Sequence, residues 1–317
     1  MIIHILIFLV SCVFLVLSGK GLVVSLSKIA RFLGWKEFVV AFFIMAFGVS
    51  IPNLFVGIIS AVNHVPELSF GDVIGGNIID LSLAIGLAAL ISKKGLSAQS
   101  GTVQGSSLYT IIVAVLPLVL ISDGILSRSD GILLFMVFFA YIFWLFKKED
   151  RFTKVYNGIK EPLTLGFFFH NLRKFLTSFV LLIIAAEGIV KSSVFFAHYF
   201  NFPIGLIGIL VVGFGNSLPE TFFSIRAARK GQDWMVLGDL MGGVVITATL
   251  VLGTVALIQP IVISDFSSIA VGRAFMVISA LFFLIFLRTG RKITRKEAVF
   301  LILIYILFVV IEVSRIN

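Results

Sequence analysis

Residues 215–220 read GNSLPE, in the middle of an apolar stretch that runs from about Phe202 to Ser224. Residues 48–53 read GVSIPN, again inside an apolar run. A proline removes a backbone hydrogen-bond donor and clashes with the preceding helical turn. In lipid, the freed carbonyl groups are costly unless a neighbour or an ion binds them. We therefore predict that both hexamers interrupt helices, with free carbonyl groups at residues 48–49 and 215–216.

The chain as a whole is too apolar for a water-soluble protein. Hydrophobic residues make up 59% of the 317 residues, charged residues make up 13%, and the mean hydropathy is +1.15. Blocks long enough to cross a hydrocarbon core lie at about 2–18, 38–61, 69–92, 107–122, 131–147, 175–197, 203–225, 236–259, 268–287 and 298–313. The first block lacks the basic leader and cleavage site of a secretory signal. We predict an all-α polytopic membrane protein with ten transmembrane helices.

The basic residues give this membrane protein an orientation. If the ten helices alternate in direction, all but four of the 25 Lys and Arg residues fall on one side, the exceptions being Arg128, Lys191, Arg273 and Arg315. The positive-inside rule then predicts a plasma (inner) membrane protein with both termini outside. The net charge of +9 thus reflects orientation and does not indicate nucleic acid. The lipid bilayer is the partner that this pattern predicts, and no obligate protein partner is indicated.

The two hexamers belong to an internal repeat. Gly48 and Gly215 are 167 residues apart, and that offset aligns other Gly, Pro, Ser and Asp residues without a gap. The aligned pairs include Gly21/Gly188, Ser25/Ser192, Ser50/Ser217, Pro52/Pro219, Gly71/Gly238, Asp72/Asp239, Gly75/Gly242, Gly76/Gly243 and Gly86/Gly253. Such self-similarity indicates a duplication. Because each half holds an odd number of helices, five, the second half enters the membrane from the opposite face, as in many transporters.

This duplication defines the predicted organisation of the chain. The first five-helix repeat spans 1–147, with its motif region at 47–91. The second repeat spans 175–317, with its motif region at 214–258, and residues 148–174 form a cytoplasmic connector. Each hexamer is followed by a second motif, GDVIGGNIID at 71–80 and GDLMGGVVIT at 238–247. Paired glycines there allow helices to approach closely.

Oxygen-bearing side chains are concentrated in these motifs. The candidates are Ser50, Asn53, Asp72, Asn77 and Asp80 in the first repeat, and Asn216, Ser217, Glu220, Asp239 and Thr247 in the second. Carboxylate, amide and hydroxyl oxygens suit hard cations such as Na⁺ and Ca²⁺. Cys12 is the single cysteine and the four histidines are scattered, so a soft-metal site is not indicated. Intramembrane acids are costly and usually functional, although Asp72 and Asp239, each near a predicted helix start, fit helix capping equally well.

These motifs closely resemble the two alpha-repeat motifs of the sodium/calcium exchanger family, within the cation/calcium antiporter superfamily. The family pattern is G-[TN]-S-x-P-E followed by G-N-x-x-G-S-N. The resemblance covers the whole chain and implies ten helices in two inverted five-helix repeats. It also implies an antiporter with cations bound near the middle of the membrane. An enzyme is not predicted, because the sequence has no nucleophile–base pair, phosphate loop or metal cluster, and no cofactor is expected.

The resemblance further implies roles for individual residues. The central ion ligands of the family correspond to Glu220 and to Asn53, which stands where the family has a second Glu. The hydroxyl ligands correspond to Ser50 and Ser217, and the Thr/Asn position of the pattern corresponds to Asn216. The ligands of the second motif correspond to Asp80 and Thr247. The departures from the family pattern are Asn53 for Glu, Gly76 and Gly243 for Ser, Val49 for Thr, and Asp72 and Asp239 for Asn. The second carboxylate of the site would then come from Asp80.

The predicted function is a secondary active cation antiporter, most similar to a sodium/calcium exchanger. Glu220 and Asp80 would bind either the driving ion or the exported cation, and competition for one charged site gives exchange. The resemblance implies that the first and sixth helices slide past the other helices to open alternate sides. Because one central Glu is missing, a monovalent cation/proton antiporter remains an alternative, as do a cation channel and a non-transporting relative.

Overall fold

The computed structural model describes residues 1–32, 50–99, 101–146, 165–263 and 266–315, which are almost entirely helical. The helices are α1 (Ile2–Phe32), α2 (Ile51–Val62), α3 (Pro66–Ile91), α4 (Gly101–Leu120), α5 (Arg128–Phe146), α6 (Leu165–Phe200), α7 (Ile204–Arg229), α8 (Asp233–Ile258), α9 (Ala270–Arg288) and α10 (Arg295–Ser314). Within the described residues, all of them except α2 are long and apolar enough to cross a membrane. The prediction of an all-α polytopic membrane protein is confirmed.

Two helices are longer than the apolar blocks that predicted them. α1 continues to Phe32 and α6 already begins at Leu165. Residues 165–174, predicted to be connector, are therefore helical, and the remainder of the connector lies outside the described residues. Hydropathy marks only where a helix is apolar, whereas a helix continues into polar sequence when no capping or breaking residue ends it.

α1 and α6 pack against each other through glycines that face serines. A Cβ atom built on Gly21 would lie 2.5 Å from Ser178 Oγ, and one built on Gly188 would lie 2.2 Å from Ser11 Oγ. Positions 11 and 178, like 21 and 188, are separated by the repeat offset. The same close contact is therefore made twice, once by each repeat. Leu15 and Leu182, which match at that offset, are both fully buried.

Three helices contain a π-helical turn of five residues. These turns are Asp80–Ala84 in α3, Gly208–Val212 in α7 and Thr247–Val251 in α8. The turns in α3 and α8 occupy matching positions of the two repeats. A π turn inserts one residue into the helical spacing and is often found at functional sites. Here it begins at a candidate ligand, Asp80 or Thr247, in both α3 and α8.

Pro219 does not interrupt α7, contrary to the prediction. Residues Gly213–Arg229 form a continuous α-helix around it, and the irregular turn lies upstream at Gly208–Val212. A proline removes one backbone hydrogen bond, whereas opening a whole turn within the membrane would leave several polar groups unsatisfied. Pro52 lies in the first turn of the described part of α2, where proline is well tolerated. The free carbonyl groups predicted at residues 48–49 lie outside the described residues.

Two short antiparallel ribbons join loops of different repeats. β1 (Leu96–Ser97) pairs with β4 (Lys292–Ile293), and β2 (Ile125–Leu126) pairs with β3 (Ile261–Val262). In one ribbon Leu96 of β1 lies opposite Ile293 of β4, and in the other Ile261 of β3 lies opposite Leu126 of β2. Exchanging β1 with β3 and β2 with β4 therefore converts one ribbon into the other, as expected for two inverted repeats.

The ribbons mark the two ends of the helix bundle, which we call the β2–β3 face and the β1–β4 face. His64 Nδ1, in the loop before α3, lies 2.6 Å from Gln259 Oε1, two residues before β3. Asp233 Oδ2, at the first residue of α8, accepts a hydrogen bond of 3.0 Å from the backbone N–H of Ser97 in β1. α3 therefore begins at the β2–β3 face, and α8 begins at the opposite, β1–β4 face.

Candidate cation-binding site

Asp80 and Glu220 face each other in the middle of the bundle. The two side chains are only 2% and 6% exposed, and their carboxyl groups are within hydrogen-bonding reach of each other. A Cβ atom built on Gly243 would lie 3.6 Å from Glu220 Oε2 and 3.9 Å from Asp80 Oδ2. Asp80 Oδ1 is buried and accepts no hydrogen bond from any described residue. The structure thus brings together carboxylates from both repeats beside a glycine that leaves space next to them.

A second pair of candidate residues links α3 to α8. Thr247 Oγ1 lies 2.8 Å from Asn77 Oδ1, and it also lies 3.0 Å from the carbonyl oxygen of Gly243 in its own helix. The hydroxyl carries one hydrogen, so these acceptors share it. Both side chains are buried. The contact holds the π turn of α8 against the helix that carries Asp80.

Asp72 and Asn216 form a third contact, between α3 and α7. Asn216 Nδ2 lies 3.1 Å from Asp72 Oδ1 and 3.0 Å from Asp72 Oδ2. Both side chains are buried. The capping prediction is wrong for Asp72 and for Asp239, because α3 begins at Pro66 and α8 at Asp233, well before these residues.

Ser217 lies one residue after Asn216 and also turns toward α3. Its Oγ is 3.5 Å from the carbonyl oxygen of Gly76 and would lie 3.2 Å from a Cβ atom built on Gly76. The glycine at 76 therefore leaves room for the Ser217 hydroxyl. Close approach of α3 and α7 is a general feature of this region, since a Cβ atom on Gly75 would lie 2.1 Å from the Ile209 carbonyl oxygen.

Three predicted site residues are not joined to the others by hydrogen bonds among the described residues. Ser50 precedes α2 and is buried, and its hydroxyl has no described partner. Asn53, in the first turn of α2, is half-buried. Asp239 is half-buried in α8, and its Oδ2 atom is buried without a described partner. The structure thus pairs six of the candidates in three contacts, places Ser217 beside them, and leaves these three unpaired.

The site is acidic and lacks a basic counter-charge within the described part of the chain. No Lys or Arg side chain there forms an ion pair with Asp72, Asp80, Glu220 or Asp239. No three His, Cys, Asp or Glu side chains of the described residues converge closely enough to hold a metal ion by themselves. A cation bound here would therefore combine two carboxylates with amide, hydroxyl or backbone oxygens.

The sequence did not predict the contact between α1 and α7 beside this region. Cys12 of α1 lies over α7, with its Sγ atom 3.3 Å from a Cβ atom built on Gly215. Gly215 begins the GNSLPE segment, so α1 packs directly against the helix that carries Glu220. The repeat offset gave no signal for this contact, because the residue that matches Cys12 is Phe179.

We expect Thr247→Val to weaken cation binding without unfolding the protein. Valine keeps the shape of threonine but removes the hydroxyl that joins α8 to Asn77. The loss of one neutral hydrogen bond corresponds to about 1 kcal/mol, or about a five-fold rise in the cation concentration for half-maximal transport. Concentration series of tracer uptake into reconstituted vesicles would measure it. Thr247→Ser keeps the hydroxyl and should behave as the parent chain; equal weakening in both variants would contradict the role of the hydroxyl.

A family model described as sodium/calcium exchanger protein matches residues 3–147 and 171–313, that is, both repeats. The sodium/calcium exchanger MaX1 of Methanosarcina acetivorans is 28% identical over 98% of this chain and 98% of its own length. The inner membrane protein YrbG of Escherichia coli is 26% identical over 80% of this chain and 79% of its own length. The putative antiporter CaxA of Alkalimonas amylolytica is 28% identical over 94% of this chain and 95% of its own length.

Solved structures show the same fold. The sodium-calcium exchanger NCX_Mj, soaked with 100 mM Na⁺ and 10 mM Sr²⁺, superposes with a TM-score of 0.64 at 25% identity over 98% of both chains. The same exchanger soaked with zero Na⁺ and Ca²⁺ gives a TM-score of 0.62 at 26% identity. The fold of ten helices in two inverted five-helix repeats agrees with the match to the family model. This chain belongs to the sodium/calcium exchanger family.

Proposed function

We propose that this chain is a secondary active antiporter that exchanges Na⁺ for Ca²⁺, or for another hard cation, by alternating access. The observation that carries the proposal is the pair formed by Asp80 and Glu220. These carboxylates come from different repeats, are buried in the middle of their helices and have no basic partner among the described residues. A buried carboxylate is stabilised by a compensating positive charge, from a proton or from a bound cation. A transported cation supplies that charge, and a second kind of cation competes for it.

The proposed ligands extend outward from this pair. Glu220 and Asp80 provide charge, while Asn216, Ser217, Asn77 and Thr247 provide neutral oxygens from the helices around them. Asn53 and Ser50 belong to the proposed set by their match to Glu220 and Ser217 in the repeat. Asp72, which accepts hydrogen bonds from Asn216, and Asp239 lie toward opposite ends of the site. Hard oxygen ligands of this kind suit Na⁺ and Ca²⁺.

Exchange of a monovalent cation for a proton is the second candidate function. It is favoured by Asn53, the repeat counterpart of Glu220, because the site has an amide where the family pattern has a second Glu. Two facing carboxylates can balance one Ca²⁺, two Na⁺ or a mixture of Na⁺ and a proton. The coupled ion therefore distinguishes the two functions.

Tracer flux in reconstituted vesicles tests these proposals. Vesicles loaded with Na⁺ and diluted into Na⁺-free buffer containing radioactive Ca²⁺ should accumulate Ca²⁺, and collapse of the Na⁺ gradient with an ionophore should stop the uptake. Uptake driven only by a pH gradient would favour the proton-coupled alternative. Uptake that needs no counter-ion gradient would indicate a channel, and no uptake under any ion pair would overturn the proposal of an antiporter.

We also propose an inner-membrane location with both termini outside, which places the β1–β4 face in the cytoplasm. Multi-pass membrane insertion is supported by the helices and by the inner-membrane relative. The orientation is supported by the basic residues, which are concentrated in the loops of the β1–β4 face, such as Lys93, Lys94 and Lys230. The proposed organisation remains a first repeat at 1–147 and a second repeat after the connector.

Labelling of single cysteines tests the orientation. In a Cys12→Ser background, which has no other cysteine, Ser129→Cys and Lys230→Cys each place one thiol at an exposed position. A membrane-impermeant maleimide added to intact cells should label Ser129→Cys, at the β2–β3 face, and reach Lys230→Cys only after the cells are opened. The reverse pattern would invert the proposed orientation.

A further inference from the structure

Asp72 and Asp239 occupy equivalent places at opposite ends of the site. Asp72 lies eight residues before Asp80 in α3, and Asp239 lies eight residues before Thr247 in α8. At about 1.5 Å per residue, each lies about 12 Å along its helix before the start of the π turn. α3 begins at the β2–β3 face and α8 at the β1–β4 face. Asp72 is therefore displaced toward the first of these faces, and Asp239 toward the second.

The two aspartates nevertheless have different partners. Asp72 accepts hydrogen bonds from the Asn216 amide through both carboxylate oxygens, at 3.1 and 3.0 Å. The residue that matches Asn216 in the first repeat is Val49, whose side chain has no polar atom. Asp239 Oδ2 is buried and accepts no hydrogen bond from any described residue. Asp72 thus accepts hydrogen bonds from the Asn216 amide, whereas Asp239 has no amide at the matching position, which is Val49.

The contact with Asp72 fixes the orientation of the Asn216 amide. Because Nδ2 is committed to the carboxylate, Oδ1 must point away from Asp72. The reversed orientation would place the amide oxygen against a carboxylate, where two acceptors repel. Asn216 is followed by Ser217, whose hydroxyl lies near Gly76 of the same helix interface. The amide oxygen therefore faces away from Asp72, and Glu220 lies one turn further along α7.

We infer that the two aspartates have diverged in function. Asp72 is a positioning residue that presents the Asn216 carboxamide oxygen to a cation arriving from the β2–β3 face. Asp239 is itself a cation ligand, on the approach from the β1–β4 face. The inference rests on the proposed exchange of hard cations. It makes the pathway chemically unsymmetrical, with a neutral oxygen on one side of the central pair and a charged one on the other.

A double-mutant cycle measured from both faces tests this inference. Asp72→Asn allows the Asn216 amide to reverse, and Asn216→Ala removes its oxygen. Each should raise KM for the cation applied at the β2–β3 face about ten-fold, the effect of one charge-assisted contact. The double variant should be no worse than Asn216→Ala alone, because Asp72 acts through Asn216. Effects that multiply would overturn the positioning role.

Asp239→Asn tests the other half of the inference. It should raise KM about ten-fold at the β1–β4 face only. In combination with Asn216→Ala, each face should show only its own ten-fold change, since the two residues act independently. An equal change at both faces, or none at either, would overturn the assignment. Calorimetric titration of each purified variant with Ca²⁺ shows whether the central site still binds, so a misfolded variant is recognised. If the parent chain shows no exchange, the proposed function fails; if it exchanges without these face-specific effects, only this inference fails.

Discussion

Replacing Glu220 with glutamine is expected to abolish counter-ion-driven exchange while leaving the protein folded. Glutamine has nearly the same size and its amide can donate a hydrogen bond to a neighbouring carboxylate, but it removes one of the two facing charges. A divalent cation would then meet a single carboxylate in a buried site where no described Lys or Arg is paired with either group. The loss of one charged contact of about 3 kcal/mol corresponds to at least about a hundred-fold weaker transport.

The matched control for this experiment is Glu312→Gln in α10. Glu312 is also an acid within a membrane helix, is 3% exposed and has a buried Oε2 atom without a described partner. It belongs to no part of the proposed site. Tracer uptake into vesicles should therefore persist in this variant and vanish in Glu220→Gln, with both proteins eluting as single species in detergent. Undiminished exchange in Glu220→Gln would refute the assignment of the central ligand.

Replacing Gly75 with alanine is expected to destabilise the protein severely. The added Cβ atom would lie 2.1 Å from the backbone carbonyl oxygen of Ile209. This neighbour is backbone in the π turn of α7, so a rotamer change cannot relieve the overlap, and α3 and α7 must separate. Such overpacking costs about 3 kcal/mol or more, which would lower the thermal midpoint by about 6 °C or more.

Gly101→Ala in α4 is the control for that comparison. A Cβ atom on Gly101 meets no described atom within 4 Å, so the variant should melt with the parent chain. Thermal aggregation of the purified proteins in detergent, followed by size-exclusion chromatography, measures the difference. If Gly75→Ala and Gly101→Ala melted at the same temperature, α3 and α7 would not meet in solution as they do here.

Much of this fold could be predicted from the sequence because the membrane simplifies the problem. Lipid requires every backbone group to be satisfied within helices, so apolar blocks map directly onto helices. The repeat offset then supplied the inverted arrangement. The same offset related Asp80 to Thr247 and Glu220 to Asn53, and the structure brings Asp80 and Glu220 together. Their role as ligands remains a prediction.

The features that escaped prediction depend on contacts between distant segments. The π turns at Asp80 and Thr247 could not be predicted, because no glycine or proline in them marks an irregular turn. The continuous helix through Pro219 shows that tertiary context can override a strong local breaker. The Asp72–Asn216 contact joins residues 144 positions apart in sequence. Helix capping by Asp72 was a reasonable local expectation that the earlier start of α3 removed.

The two ribbons suggest how such a chain can be assembled from smaller parts. Each ribbon pairs one strand from each half, and their registers are interchangeable. A contact that is reproduced when the partners are swapped is what two copies of a single polypeptide make around a twofold axis. Two separate five-helix subunits, inserted in opposite directions, would thus form both ribbons from one kind of strand pairing. Fusion of such a homodimer into one chain allows the two halves to differ at matching positions, as they do at Val49 and Asn216.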